Sequence, residues 1–153
     1  MPKRKQRLRA VLDTNVIIRH FISYNRGGKQ GFNRQVFELW LIKNQIQLIV
    51  SPEIVEEFLA AMNLVLSIPD DLLKQWEQRF FKHRVDVVSP GRRYSFSRDE
   101  KDNIFLEAAA AGKADFLITN DLDLLEISDA NKRKLRFKIV TPEQFLEYWD
   151  TLS

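Results

Sequence analysis

The stretch Arg7-Leu8-Arg9-Ala10-Val11-Leu12-Asp13-Thr14-Asn15-Val16-Ile17-Ile18 decides the fold. Arg7 to Leu12 tends apolar and predicts a short strand ending at Asp13. Asp13, Thr14 and Asn15 then offer helix-capping side chains. Val16, Ile17, Ile18, Phe21 and Ile22 follow with helical spacing, so a helix is expected directly after the strand.

The same alternation continues outward. A loop is expected from Asn25 to Gly31, a helix from Phe32 to Lys43 and a strand from Gln45 to Val50. Ser51-Pro52 opens a helix reaching Leu66, with proline in the first turn, where its missing N–H costs little. Ile68-Pro69-Asp70-Asp71 breaks that helix and restarts one running to about Lys82. Val85 to Val88 predicts a strand, Ser89 to Asp99 a loop, and Lys101 to Ala111 a helix closed by Gly112. Phe116 to Thr119 is a further strand, and Asn120-Asp121 caps a short helix through Leu124 and Leu125. Phe137 to Val140 is the last strand, and Thr141-Pro142 starts the last helix. Strands alternating with helices predict an α/β fold with a mostly parallel central sheet of four to five strands. No repeat or linker interrupts residues 1–153, which are expected to form one domain with 1–6 as a flexible basic tail.

Composition narrows the chemistry. With 44% apolar and 29% charged residues the chain reads as soluble and globular. The absence of cysteine excludes disulfides, zinc–thiolate sites and thiol catalysis, and two histidines are too few for a histidine-rich metal site. No signal-peptide core follows the basic start, and no apolar run approaches the ~20 residues of a membrane span. A cytoplasmic protein without a membrane partner is expected. The net charge of +3 is mild, but cations cluster at Lys3–Arg9 and at Arg92, Arg93 and Arg98. Such clusters attract polyanions.

In open parallel sheets ligands sit beyond the carboxyl ends of the strands. Asp13 follows the first strand directly, and Asp121 follows the Phe116–Thr119 strand after one residue. Asp102 lies in the first turn of the helix before that strand, with Asp99 as its cap. Each of these acids also has a simpler role as a helix cap or a first-turn acid favoured by the helix dipole. On the helix that begins at Pro52, Glu56 and Glu57 flank opposite edges of the apolar face about equally, and periodicity leaves them tied.

Four ordered pieces carry a family resemblance: Val11-Leu12-Asp13-Thr14-Asn15-Val16, Ser51-Pro52-Glu53-Ile54-Val55-Glu56-Glu57-Phe58, Asp99-Glu100-Lys101-Asp102-Asn103-Ile104-Phe105-Leu106, and Leu117-Ile118-Thr119-Asn120-Asp121-Leu122-Asp123-Leu124-Leu125. The chain resembles the PIN-domain nucleases, within them the bacterial and archaeal toxin-like branch. The resemblance implies a three-layer α/β/α sandwich and a metal-dependent ribonuclease. It assigns catalysis and metal binding to Asp13, Glu57, Asp102 and Asp121, choosing Glu57 over Glu56, and adds Asp123 as a further metal ligand. Asn15 and Thr119 match polar positions that orient water, substrate or a carboxylate. An antitoxin and a second copy of the chain are the protein partners it implies, with the Phe32–Lys43 or Ile68–Lys82 helix supplying an apolar face.

The chemistry is coherent with such a set. Clustered carboxylates repel one another unless protonated or neutralised by cations. Their hard oxygens suit one or two Mg²⁺ or Mn²⁺ ions, which can activate water and stabilise the leaving oxygen at phosphorus. Arg19, Arg26, Lys29, Arg92, Arg93, Tyr94 and Arg98 are the expected RNA contacts, and Trp40 is expected in the core. Two other phosphoryl-transfer classes fail. A haloacid-dehalogenase-like phosphatase wants a second Asp where Asn15 stands. A P-loop wants Gly where Ser23 stands and Ser or Thr where Gln30 stands. The remaining alternative is a catalytically silent RNA- or protein-binding module on the same fold, which would be expected to lose one or more of the acids.

Overall fold

The computed structural model describes residues 7–18, 31–81 and 84–152. Five strands form one sheet: β1 (Leu8–Leu12), β2 (Ile46–Val50), β3 (Val85–Val87), β4 (Phe116–Ile118) and β5 (Lys138–Val140). All neighbours pair in parallel, in the order β3-β2-β1-β4-β5. Residues 14–18 are helical (α1). The other α-helices among the described residues are α2 (Gly31–Leu41), α3 (Pro52–Leu66), α4 (Asp70–Trp76), α5 (Asn103–Ala111), α6 (Leu122–Leu125), α7 (Asp129–Lys132) and α8 (Pro142–Thr151).

Successive side chains of a strand face opposite sides of a sheet. Ala10, Val11 and Leu12 of β1 are all buried, as are Phe116, Leu117 and Ile118 of β4, so both faces are covered. That is the three-layer α/β/α arrangement, and it explains why these strands read as continuous apolar runs. Helix α5 packs on β1, β2 and β4 and against α3, while α2 packs on β2 and α8. Phe105, Leu106, Leu117, Ile118 and Phe145 are among the most deeply buried side chains.

Local chemistry sets the helix starts. Ser51 Oγ accepts the Ile54 N–H at 3.2 Å and Pro52 follows it, so α3 begins where its punctuation predicts. Thr141 and Gln144 form a reciprocal capping box at α8. Two expectations shift, and one helix is added. The helix expected to reach Lys82 is α-helical only to Trp76 and continues as a π-helical turn over Glu77–Phe81, and Lys82 lies outside the described residues. Asp102 precedes α5 as the last residue of a 3-10 turn (Glu100–Asp102). Helix α7, one turn capped by Ser128, is too short to show a period in the sequence. The basic tail (1–6) and the basic positions Arg19, Arg26 and Lys29 also lie outside the described residues.

The strand order locates the crevice. From β1 the chain moves through β2 to β3 on one side, then returns to β4 on the other side of β1. The direction of winding reverses between β1 and β4. Ligand crevices of open α/β sheets lie at such a switch, beyond the carboxyl ends of the strands.

Candidate metal centre and active site

Asp13 leaves β1 at this switch. Its backbone N–H donates to Ile118 O of β4 at 2.9 Å, so the two strand ends are held together at the acid itself. Its side chain is only 3% exposed. Oδ1 accepts the Asn15 N–H at 3.2 Å, and Oδ2 accepts the Thr119 hydroxyl at 2.6 Å. Thr119 is fully buried, and its hydroxyl also accepts the Asp121 N–H at 2.9 Å. One hydroxyl thus joins the acid after β1 to the acid after β4. Asp121 Oδ1 caps α6 by accepting the Asp123 N–H at 2.9 Å. The capping role and the clustering coexist, because each carboxylate has a second oxygen.

Asp102 closes the crevice from the α5 side. It is 7% exposed, and no hydrogen-bond donor reaches its Oδ2. Burial, the carboxyl of Asp121 at hydrogen-bonding range and the charges of Asp13 and Asp99 push its pKa up to about 8. Burial and neighbouring acids thus disfavour the charged form of Asp102, as expected where carboxylates crowd together. Glu57 reaches the same place from α3. Its Oε2 accepts the Thr14 hydroxyl at 3.2 Å. Burial first, then the charges of Asp13 and Asp99, raise its pKa, against the Thr14 hydrogen bond and Lys101. Glu56 is exposed. The structure therefore brings Asp13, Glu57, Asp102 and Asp121 into one electrostatically coupled group.

A second, overlapping group was not foreseen. Asp99, Asp102 and Asp123 each present an oxygen within 4.8 Å of the others. Asp99 does cap its turn, accepting the Lys101 N–H at 3.0 Å, but it also stands one helical turn from Asp102 on the crevice side. The i, i+3 spacing of these two acids was the available signal. Asn103 fixes this loop: its side-chain oxygen accepts the buried Ser97 N–H at 3.0 Å. The donor set consists of carboxylate oxygens, one of them buried without a donor, which fits a hard divalent cation such as Mg²⁺ or Mn²⁺.

A model of the PIN domain matches residues 9–123. The chain belongs to the PIN domain family. The match runs from β1 to Asp123 and so encloses every acid described above. PIN domains are in general metal-dependent nucleases. This PIN domain is 27% identical over 162 residues to the uncharacterized protein MJ1680 of Methanocaldococcus jannaschii, covering 95% of the chain and 94% of that protein. The crystal structure of VapBC2 from Rickettsia felis bound to a DNA fragment from their promoter is similar at 14% identity and a TM-score of 0.47, over 88% of this chain and 98% of that one.

The expected RNA contacts of this PIN domain fall in different settings. Arg93 reaches Glu53 at 3.1 Å and Glu107 at 2.9 Å, and Glu107 also accepts the Tyr94 N–H at 2.9 Å. Arg98 bridges Asp123 and Glu126, each at 3.0 Å, so it sits beside the acid cluster. Arg92 lies over the Tyr94 ring, 5.0 Å from its centroid. Asn15 is exposed beside Asp13. Trp40 is buried, edge-on to Phe37, as expected of a core residue. Among the described residues no helix is long and apolar enough to cross a membrane.

Proposed function

We propose that this PIN domain is a metal-dependent endoribonuclease that hydrolyses RNA phosphodiester bonds with one or two Mg²⁺ or Mn²⁺ ions. The observation that carries the reading is Asp102: a buried carboxyl with an oxygen that no donor serves, facing Asp121 and Asp13. Buried polar atoms in folded proteins are normally partnered, so this one is arranged for something that binds. Asp13, Asp102 and Asp121 would hold the metal, with Glu57, Asp123 and Asp99 completing its surroundings. Bound there, a divalent cation supplies a Lewis acid for phosphoryl oxygen and lowers the pKa of attached water.

The remaining roles belong to the chain. The Thr119 hydroxyl orients Asp13 and the start of the Asp121 segment as a unit. Thr14 orients Glu57. Asn15, exposed beside Asp13, would orient water or a substrate oxygen. Arg98 balances the acids and is available to a phosphate once metal neutralises Asp123. RNA rather than another phosphodiester, the role of toxin with an antitoxin partner, and a cytoplasmic location rest on the resemblance of the four motif pieces. A second copy of the chain would pack through α2 or α4, where Phe32 and Leu72 are exposed.

The test is cleavage of labelled single-stranded RNA by the purified chain with Mg²⁺, with Mn²⁺ and with EDTA. Internal cuts in either metal and none in EDTA are expected. Equal cutting in EDTA, or metal binding without any cutting, contradicts the reading.

A further inference from the structure

A second groove opens at the opposite end of α5. It encloses about 460 Å³ and is lined by Arg92, Lys113, Lys134 and Arg136, with Tyr94 and Asp115. Asp102 stands at the start of α5 and Lys113 just past its end, a separation of about 16 Å at the helical rise per residue. The groove is therefore distinct from the acid centre. The segment from Arg92 to Arg98 joins the two, since Arg92 and Tyr94 line the groove and Arg98 touches Asp123.

Charge is concentrated here without being neutralised. Four cations face one carboxylate, and Asp115 is itself held by the Arg9 N–H at 2.9 Å. Arg93 and Arg98 of the adjoining loop are both in ion pairs. Among the described residues none of the four groove cations is in one. Like charges gathered in a concave, partly apolar setting focus a positive field, which an anion relieves.

The groove also carries a flat surface, the Tyr94 ring, backed by Phe96 behind the lining. The Arg92 guanidinium lies 5.0 Å from the Tyr94 centroid, Tyr94 meets Phe96 edge-on at 5.1 Å, and Lys134 Nζ lies 5.8 Å from the Phe96 centroid. This alternation of cation and ring holds Arg92 and Lys134 in place at the groove. Unstacked bases pack on guanidinium planes and aromatic rings, while lysines and arginines bind the phosphates between them. An acidic peptide would use the charges but has no need of the planes.

We propose that this groove binds a single-stranded stretch of RNA flanking the position that is cut, with Lys134 and Arg136 on phosphates and the Arg92–Tyr94 pair against a base. The proposal rests on the ribonuclease reading for its ligand. It is tested by fluorescence anisotropy of a labelled single-stranded RNA on the full chain carrying Asp13→Asn, in EDTA, across a range of salt. Adding Lys134→Glu and Arg136→Glu together should weaken binding at least about tenfold and flatten its salt dependence. Adding Tyr94→Leu should weaken RNA binding about five- to tenfold and leave inorganic polyphosphate unaffected. Melting temperatures close to the parent's would show that the variants fold.

Unchanged RNA affinity in the folded charge variant overturns the proposal. Equal loss of RNA and polyphosphate in Tyr94→Leu also overturns it, leaving only an anion surface. Binding of poly-glutamate as tight as RNA, lost in the same variants, overturns it in favour of an acidic protein partner. The two readings fail separately. Groove-dependent RNA binding without cleavage by the unmodified chain in Mg²⁺ or Mn²⁺ sinks the nuclease and keeps the groove. Cleavage with groove variants that bind like the parent does the reverse.

Discussion

The Thr119 hydroxyl donates to Asp13 Oδ2 at 2.6 Å, across a separation of 106 residues in the chain. It also accepts the Asp121 N–H, so β1 and β4 deliver their acids as a pair. Thr119→Val keeps the shape and removes the bridge. It should lower metal-dependent RNA cleavage by about 10–100-fold, the usual cost of losing a group that orients a metal ligand. Stability should fall by about 1–3 kcal/mol, since buried polar groups lose their partner. Thr119→Ser should restore most of the activity. Cleavage rates and denaturant unfolding of the three proteins check this. A Val variant as active as the parent would show that the bridge is only structural.

Glu56 and Glu57 provide a paired comparison on one helix. Glu57 accepts the Thr14 hydroxyl and senses the charge of Asp13, while Glu56 is exposed. Glu57→Gln should reduce cleavage at least about tenfold. Glu56→Gln should leave it within about twofold, as expected of an exposed substitution away from the site. Equal effects would remove Glu57 from the site.

Asp102 and Glu57 make the metal-free fold sensitive to pH in a defined direction. Their pKa values are raised in the folded protein, so the folded state binds more protons than the unfolded chain. Stability from this source is fully present below the ordinary carboxylate range. It is lost as pH rises from the ordinary Asp value of 3.8 toward the folded value of about 8 for Asp102. The melting temperature in EDTA should therefore decline over that window. Mn²⁺ should raise it more at the alkaline end than at the acid end, because it binds the deprotonated form. Asp102→Asn should flatten both dependences. Thermal melts at several pH values check this, and a metal-free melting temperature that climbs through the window would contradict it.

Arg93 is held by Glu53 and by the buried Glu107. Glu107 also fixes the Tyr94 backbone, so the pair anchors the loop that leads to Asp99. Arg93→Ala should lower the melting temperature, because the buried Glu107 carboxyl loses its ion-pair partner and keeps the Tyr94 N–H. RNA affinity and its salt slope should change little. A thermal melt and a salt titration of RNA binding separate the two outcomes. A normal melting temperature with a clearly reduced salt slope would make Arg93 a phosphate contact instead.

The fold was legible because its signals are local. Ser51-Pro52 and Thr141-Pro142 mark helix starts whose caps form as the residue types require. The buried runs at Ala10–Leu12 and Phe116–Ile118 announce a sheet covered on both faces. Where geometry depends on distant contacts the sequence was less informative. Gly112 reads as a helix-ending glycine, yet its φ is −87° and the left-handed residue is Lys113 at 52°. The reason for glycine is packing: a Cβ there would stand 2.6 Å from Ile49 Cγ2 on β2. The acids divide the same way. Asp13 and Asp121 follow strands and could be placed at one edge from position alone. Glu57 depends on how α3 is rotated against Thr14, which periodicity left undecided. Asp99 looked like a cap and is one, and only the folded turn brings it to Asp102 and Asp123.

The most direct measurement is single-turnover cleavage of one RNA by the parent chain, Asp13→Asn and Asp121→Asn, each with Mn²⁺ and with EDTA. The account predicts Mn²⁺-dependent internal cuts by the parent, cleavage lost in both folded variants, and none in EDTA. Undiminished cutting by either variant, or cutting that survives EDTA, would contradict the claim that these carboxylates form a metal-dependent ribonuclease site.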